Sequence, residues 1–282
     1  MNFVRFPVLL MCGVLLAGGA FRVLALELDD LIRIGDEIVK ANKKVTVEEE
    51  IALGGNLVSG LLGAAPLVDN DELQRYVNDV GYWVASHSAR PNLPWRFGVI
   101  DSPGINAFAA PGGYIVITAG LFSLLENEAQ LAAVLGHEIG HVVKKHHLKA
   151  LKKTLKRGIW AKIGVRALAE KKDHEKLDKV VNAGVQLYAS GLDRELEYQA
   201  DSLGVVLAAR AGYDPYALLD VFVTIDSINP TESNLAVLLK THPPTARRLD
   251  RLARQMQGRL DRFASGNSNA ERFRAVASRI KF

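Results

Sequence analysis

Leu135-Gly136-His137-Glu138-Ile139-Gly140-His141 is the stretch from which the rest of the chain can be read. His137 and His141 stand four residues apart, so on an α-helix both imidazoles leave one face about a turn apart. Two neutral nitrogen donors at that spacing suit a tetrahedral zinc ion. Glu138 follows the first donor and reaches the ion's open position, where a carboxylate can take a proton from water. Leu131, Ala132, Val134 and Leu135 mark a buried helix, and Gly136 and Gly140 leave room along its backbone. The competing reading is two surface histidines on an ordinary helix.

A catalytic zinc needs a third protein ligand. If the helix continues, His146 points almost opposite to the pair and His147 lies about 100° off it. His147 falls at the last position of an HExxHxxGxxH pattern, but that pattern turns at a glycine and Lys144 stands there. The better candidate lies in Leu192-Asp193-Arg194-Glu195-Leu196-Glu197-Tyr198-Gln199-Ala200-Asp201. Glu197 and Asp201 share one helix face with the small residues Ala200 and Gly204, so this helix can approach the first closely. Glu197 is then the third ligand. Asp201, one turn on, accepts the second N–H of a ligating histidine and fixes its ring. A solvated acidic face is the alternative. A further cluster, Thr241-His242-Pro243-Pro244-Thr245-Ala246-Arg247-Arg248, places His242 just before a proline-started helix. From there His242 can stabilise an oxyanion or block the metal at rest, and Arg248 can pair with a buried carboxylate. Alone, a histidine before Pro-Pro is an ordinary loop residue.

Working outward, Trp95–Asp101, Asn106–Ala109 and Tyr114–Thr118 read as short strands, the last two joined by the Pro111-Gly112-Gly113 turn. They are expected to form a small antiparallel sheet. Leu28–Ala41 and Glu48–Ala64 read as helices, and Asp69 is the expected N-cap of a third running to about Ser88. From Glu126 to Ile280 the pattern is almost all helical. The fold class is therefore α+β, mostly helical.

Arg5 followed by the apolar run Phe6–Ala20 and then Val23-Leu24-Ala25 reads as a signal peptide over residues 1–25, cleaved after Ala25 or, second, after Ala20. A buried N-terminal helix or an uncleaved anchor is the alternative. Met11 before Cys12 is not small, which argues against lipid attachment. Cys12 is the only cysteine, so residues 26–282, taken as a single domain, can form no disulfide. No later stretch reaches the ~18–20 apolar residues of a membrane span. The formal charge of +4 singles out no partner and no nucleic acid is expected, but Lys144–Lys172 carries eleven Lys/Arg against the single acid Glu170. That run offers peripheral contact with an anionic membrane surface, or is a solvated helix face around a cleft.

Taken together, these residues resemble the gluzincin metallopeptidases that include the CAAX prenyl protease, the heat-shock protease HtpX and the periplasmic outer-membrane quality-control proteases. The resemblance spans about residues 48–255. It rests on Asn106-Ala107-Phe108 with Pro111-Gly112-Gly113-Tyr114, on the HEIGH stretch, on Glu197 to Asp201, and on His242-Pro243-Pro244-Thr245 with Arg248. It implies a zincin-like domain with one zinc on His137, His141 and Glu197, Glu138 as base, and His242 and Arg248 near the active site. It also implies that Asn106, Ala107 and Phe108 edge the cleft, where an extended polypeptide substrate pairs with the strand. The implied activity is a periplasmic zinc endopeptidase acting on misfolded or envelope proteins. The alternative is a chaperone-like assembly factor with a gated metal site. Two departures stand out: the expected absence of membrane spans, and of a helical repeat domain after Phe282.

Overall fold

The structure, a computed structural model, describes residues 45–150, 191–229, 232, 235–242 and 245–280. The signal-like segment, the helix expected over Leu28–Ala41, most of the basic stretch and Pro243-Pro244 lie outside the described residues.

Helix α1 (Val47–Ala64) starts at a reciprocal cap: Thr46 Oγ1 accepts from Glu49 N–H at 3.2 Å, and the Glu49 carboxylate accepts from Thr46 N–H at 2.8 Å. Helix α2 (Asp71–Ser86) begins one residue later than expected. Asn70, not Asp69, is its cap, with Oδ1 accepting from Leu73 N–H at 2.9 Å. Strands β1 (Arg96–Ile100), β2 (Ala107–Ala110) and β3 (Tyr114–Thr118) follow, then the short α3 (Ala119–Leu124) and the long α4 (Glu128–Val143). The second half holds α5 (Arg194–Arg210), α6 (Ala217–Ser227), α7 (Ala236–Thr241), α8 (Thr245–Met256), a 3-10 turn at Asp261–Phe263 and α9 (Ala270–Ala277).

The sheet corrects the expectation of purely antiparallel pairing. Its order is β1-β3-β2: β2 and β3 form an antiparallel hairpin, but β1 pairs parallel to β3. The hairpin turns at Gly112 and Gly113, both at positive φ, and then folds in so that its second strand, not its first, meets β1. The outer side of β1 is not left bare. Val68 N–H bonds Val99 O at 2.9 Å, and Gln74 of α2 both donates to Val99 O and accepts from Val99 N–H, each at 2.9 Å. β2 therefore ends the sheet on the side facing α4.

α4 is buried along nearly its whole length, as its all-round apolar sequence requires. Leu131, Leu135 and Ile139 of α4 share one core with Phe122 of α3 and Phe273 of α9, whose rings sit 5.0 Å apart. Against this helix lies α5, in backbone-to-backbone contact. A Cβ added at Gly204 would stand 2.8 Å from His137 N, and one at Gly136 would stand 2.9 Å from Gly204 O. The small face of Ala200 and Gly204 is what admits this approach, as the sequence suggested.

Candidate metal centre

The close packing of α4 on α5 brings the donors together. His137 and His141 turn their Nε2 atoms toward each other, 3.0 Å apart. Glu197 comes in from α5, with Oε1 3.5 Å from His141 Nε2 and Oε2 3.7 Å from His137 Nε2. His242, at the end of α7, sets Nε2 3.7 Å from Glu197 Oε2. One ligand atom from each of these four residues lies within 4.8 Å of the other three, and this is the only such group among the described residues. Glu138 lies at its side, Oε1 4.0 Å from His137 Nε2.

Both histidines of α4 are fixed from behind. His137 Nδ1 donates to Asp201 Oδ1 at 2.9 Å. Asp201 in turn accepts from Arg248, Nε to Oδ2 at 2.9 Å and Nη2 to Oδ1 at 2.5 Å. The Arg248 guanidinium lies over the Phe222 ring, 4.5 Å from its centroid. Asp201 and Arg248 form a compensated, fully buried ion pair. Arg248 thus acts through Asp201 and His137, with Nη1 3.7 Å from Glu197 Oε2. The pairing of Arg248 with a buried carboxylate matches the sequence reading.

Behind His141 stands a residue that the helical projection had set aside. α4 stops at Lys144, Lys145 takes a left-handed backbone with φ 56°, and His146 returns to place Nδ1 3.1 Å from His141 Nδ1. The expectation that His146 points away holds for a continuing helix, and the helix does not continue. His147 also comes near, its ring centroid 5.5 Å from that of His141, but it is not among the four clustered donors.

These residues fit a zinc ion. Glu197 Oε2 is buried, has no hydrogen-bond partner and faces the imidazoles. Both imidazoles use Nδ1 outward and keep Nε2 for the centre, the arrangement of metal-ligating histidines. Burial pushes His141 and His242 well below the usual imidazole range, with neighbouring histidines and Arg248 adding to it, so both are neutral donors. Burial opposes ionisation of Asp201 too, but Arg248 and His137 outweigh it and hold the carboxyl well below its ordinary value. Glu197 is pushed by burial up to about 7, and Glu138 is likewise raised by burial. Both shifts arise where two carboxylates sit in a dry pocket, and a divalent cation would reverse them.

Two hollows meet at Glu138. One, about 350 Å³, runs along Asn106–Ala109 past Glu138, His141, Glu197 and His242. Asn106 Oδ1 is buried beside it without a hydrogen-bond partner. The other, about 540 Å³, is walled by Leu121, Val134, Leu218, Val221, Phe222, Ile225 and Leu238, and opens past Ala107, Glu138 and His242.

Comparison with known proteins agrees with this geometry. The profile of Peptidase family M48 matches residues 70–256, and the chain belongs to that family. It is similar to the beta-barrel assembly-enhancing protease of Escherichia coli (strain K12), 29% identical over 237 residues, covering 82% of this chain and 49% of that one. It is also similar to the mitochondrial metalloendopeptidase OMA1 of Arabidopsis thaliana, 31% identical over 170 residues (60% of this chain, 33% of the relative). OMA1 of Schizosaccharomyces pombe is 28% identical over 177 residues, 63% of this chain and 51% of that one. The chain spans about half the length of the bacterial relative.

Proposed function

We propose that the chain is a zinc-dependent endopeptidase that cuts misfolded or envelope polypeptides. The observation that carries this is Glu197 Oε2, buried without a hydrogen-bond partner and facing the imidazole Nε2 atoms, with the Glu138 carboxylate alongside. Zinc supplies Lewis acidity toward a peptide carbonyl and toward water. The chain's own residues do the rest. Glu138 takes the proton of the attacking water and returns it to the departing amide nitrogen, and its place beside the donor cluster suits both transfers. An extended substrate lies along Asn106, Ala107 and Phe108, with the Asn106 side chain available to a substrate N–H. The apolar hollow takes an apolar side chain next to the scissile bond.

One observation favours a second reading, in which the site is closed at rest: His242 Nε2 is part of the same donor cluster. His242 either steps aside to meet the developing oxyanion or stays and occludes the centre, leaving a chaperone-like binding role. One assay separates these. Casein digestion and zinc content are measured for wild type, Glu138→Gln and His242→Ala. Glu138→Gln is expected to keep zinc and lose at least a hundredfold in rate; cutting at the wild-type rate defeats the mechanism. A faster His242→Ala supports occlusion, and a slower one supports the oxyanion role.

The place of action that we propose is the periplasm, reached by the signal-like segment 1–25. Among the described residues no helix is long and apolar enough to cross a membrane. A relative named for enhancing beta-barrel assembly supports envelope proteins as substrates. Contact of the basic stretch with anionic lipid is part of the same proposal, and salt-insensitive failure to co-sediment with anionic vesicles would remove it.

A further inference from the structure

We propose that His146 is a positioning residue for the metal, holding the ligand His141 by accepting the proton on its Nδ1. The inference rests on the zinc reading of the cluster. His146 is wholly buried, its Nδ1 is 3.1 Å from His141 Nδ1, and the two rings meet edge to face at 77°. Two imidazole nitrogens at that distance share one proton between them. His141 Nε2 faces His137 Nε2 and Glu197 Oε1, so its lone pair belongs to the metal and its proton lies on Nδ1. His146 Nδ1 therefore accepts, and the proton of His146 sits on Nε2.

The contact is built by a turn that the local sequence does not favour. Left-handed backbone is uncommon for a residue with a side chain, and Lys145 has φ 56°. It is held there from α1. The buried Glu50 carboxylate binds Lys145 Nζ and, at 2.8 Å, Arg90 Nη1, while Arg90 Nη1 also donates to Val142 O at 3.3 Å. Had α4 run on, His146 would lie five residues past His141, about 140° around the helix.

The two ligand histidines thus have different supports: an anion behind His137 and a neutral ring behind His141. With Arg248 cancelling Asp201, the carboxylates left to face a metal at the centre are Glu197 and, beside it, Glu138. A neutral acceptor orients His141 without adding a further carboxylate to that balance.

The test is equilibrium zinc competition against a chromophoric chelator, on the full chain, for wild type, His146→Ala and His146→Asn. His146→Ala is expected to weaken zinc about 10- to 100-fold. His146→Asn, whose amide oxygen can accept the same proton, is expected to recover most of that loss, and the visible spectrum of the cobalt-loaded protein should shift in the first variant and return in the second. Should His146→Ala fail to fold, His146→Leu, which fills the space and cannot accept, is compared with the asparagine variant: weaker zinc in the leucine variant alone supports the role, and equal affinity in the two overturns it. Wild-type zinc affinity in a folded His146→Ala overturns the assignment while leaving the metal site intact. A wild-type chain that takes no zinc overturns the metal reading and this inference with it.

Discussion

Asp201 is the residue on which the centre's electrostatics turn. It accepts from His137 on one side and from Arg248 on the other, at 1% exposure, so both charges of the pair are out of water. Burying such a pair adds little net stability, but removing one partner strands the other. Arg248→Met is therefore expected to destabilise the metal-free chain by about 3–5 kcal/mol in urea denaturation. The double variant with Asp201→Asn should recover part of that, and a single-variant loss below about 1 kcal/mol would show the pair to be idle. Side chains on one helix were legible at this scale: His137 with His141 and Glu197 with Asp201 follow from helical spacing alone. His146 was not, because its position depends on a left-handed residue held by Glu50 and Arg90, both distant in sequence. His242 was placed by Pro243-Pro244, which end α7 at that point, but its distance from Glu197 depends on how α7 meets the α4–α5 pair and not on spacing along one helix.

Between elements, the contact of α4 with α5 sets the distance from the histidines to Glu197. Gly204→Ala puts a Cβ 2.8 Å from His137 N, with backbone on both sides and no flexible side chain to yield. Overpacking of this kind costs about 1–3 kcal/mol, and here it also moves Glu197 away from the imidazoles. We expect a lower thermal midpoint together with weaker zinc binding by competition. A variant that loses stability but keeps wild-type zinc affinity would show that the helix spacing does not set the centre. The glycine pairing was readable as two small-residue faces. The sheet was readable only as three strands, since whether β1 joins β2 or β3 depends on how the hairpin folds back and not on any strand's own sequence.

Across the whole molecule, Glu128 fastens distant parts of the chain. Fully buried at the start of α4, it accepts from Tyr76 of α2 at 2.7 Å, from Tyr213 and Asn269 at 2.8 Å each, and from Arg272 of α9. Burial opposes its charge, but these four donors prevail and hold the carboxyl below its ordinary 4.5. The unfolded chain then binds more protons than the folded one in the interval below 4.5, so stability is lost as pH falls through it and is fully present above it. Glu128→Gln is expected to lower stability at neutral pH and to flatten the fall below pH 4.5, measured as denaturation midpoints across the acid range. An unchanged acid limb would place the loss elsewhere.

Because α4 and α5 touch through their main chains at Gly136, Gly140, Ala200 and Gly204, no long side chain stands at that contact to change rotamer. Fluctuating side chains elsewhere in the core have no purchase on the gap that separates imidazoles from carboxylate. A movement of His242 at the end of α7 should therefore leave the spacing of the other three donors untouched.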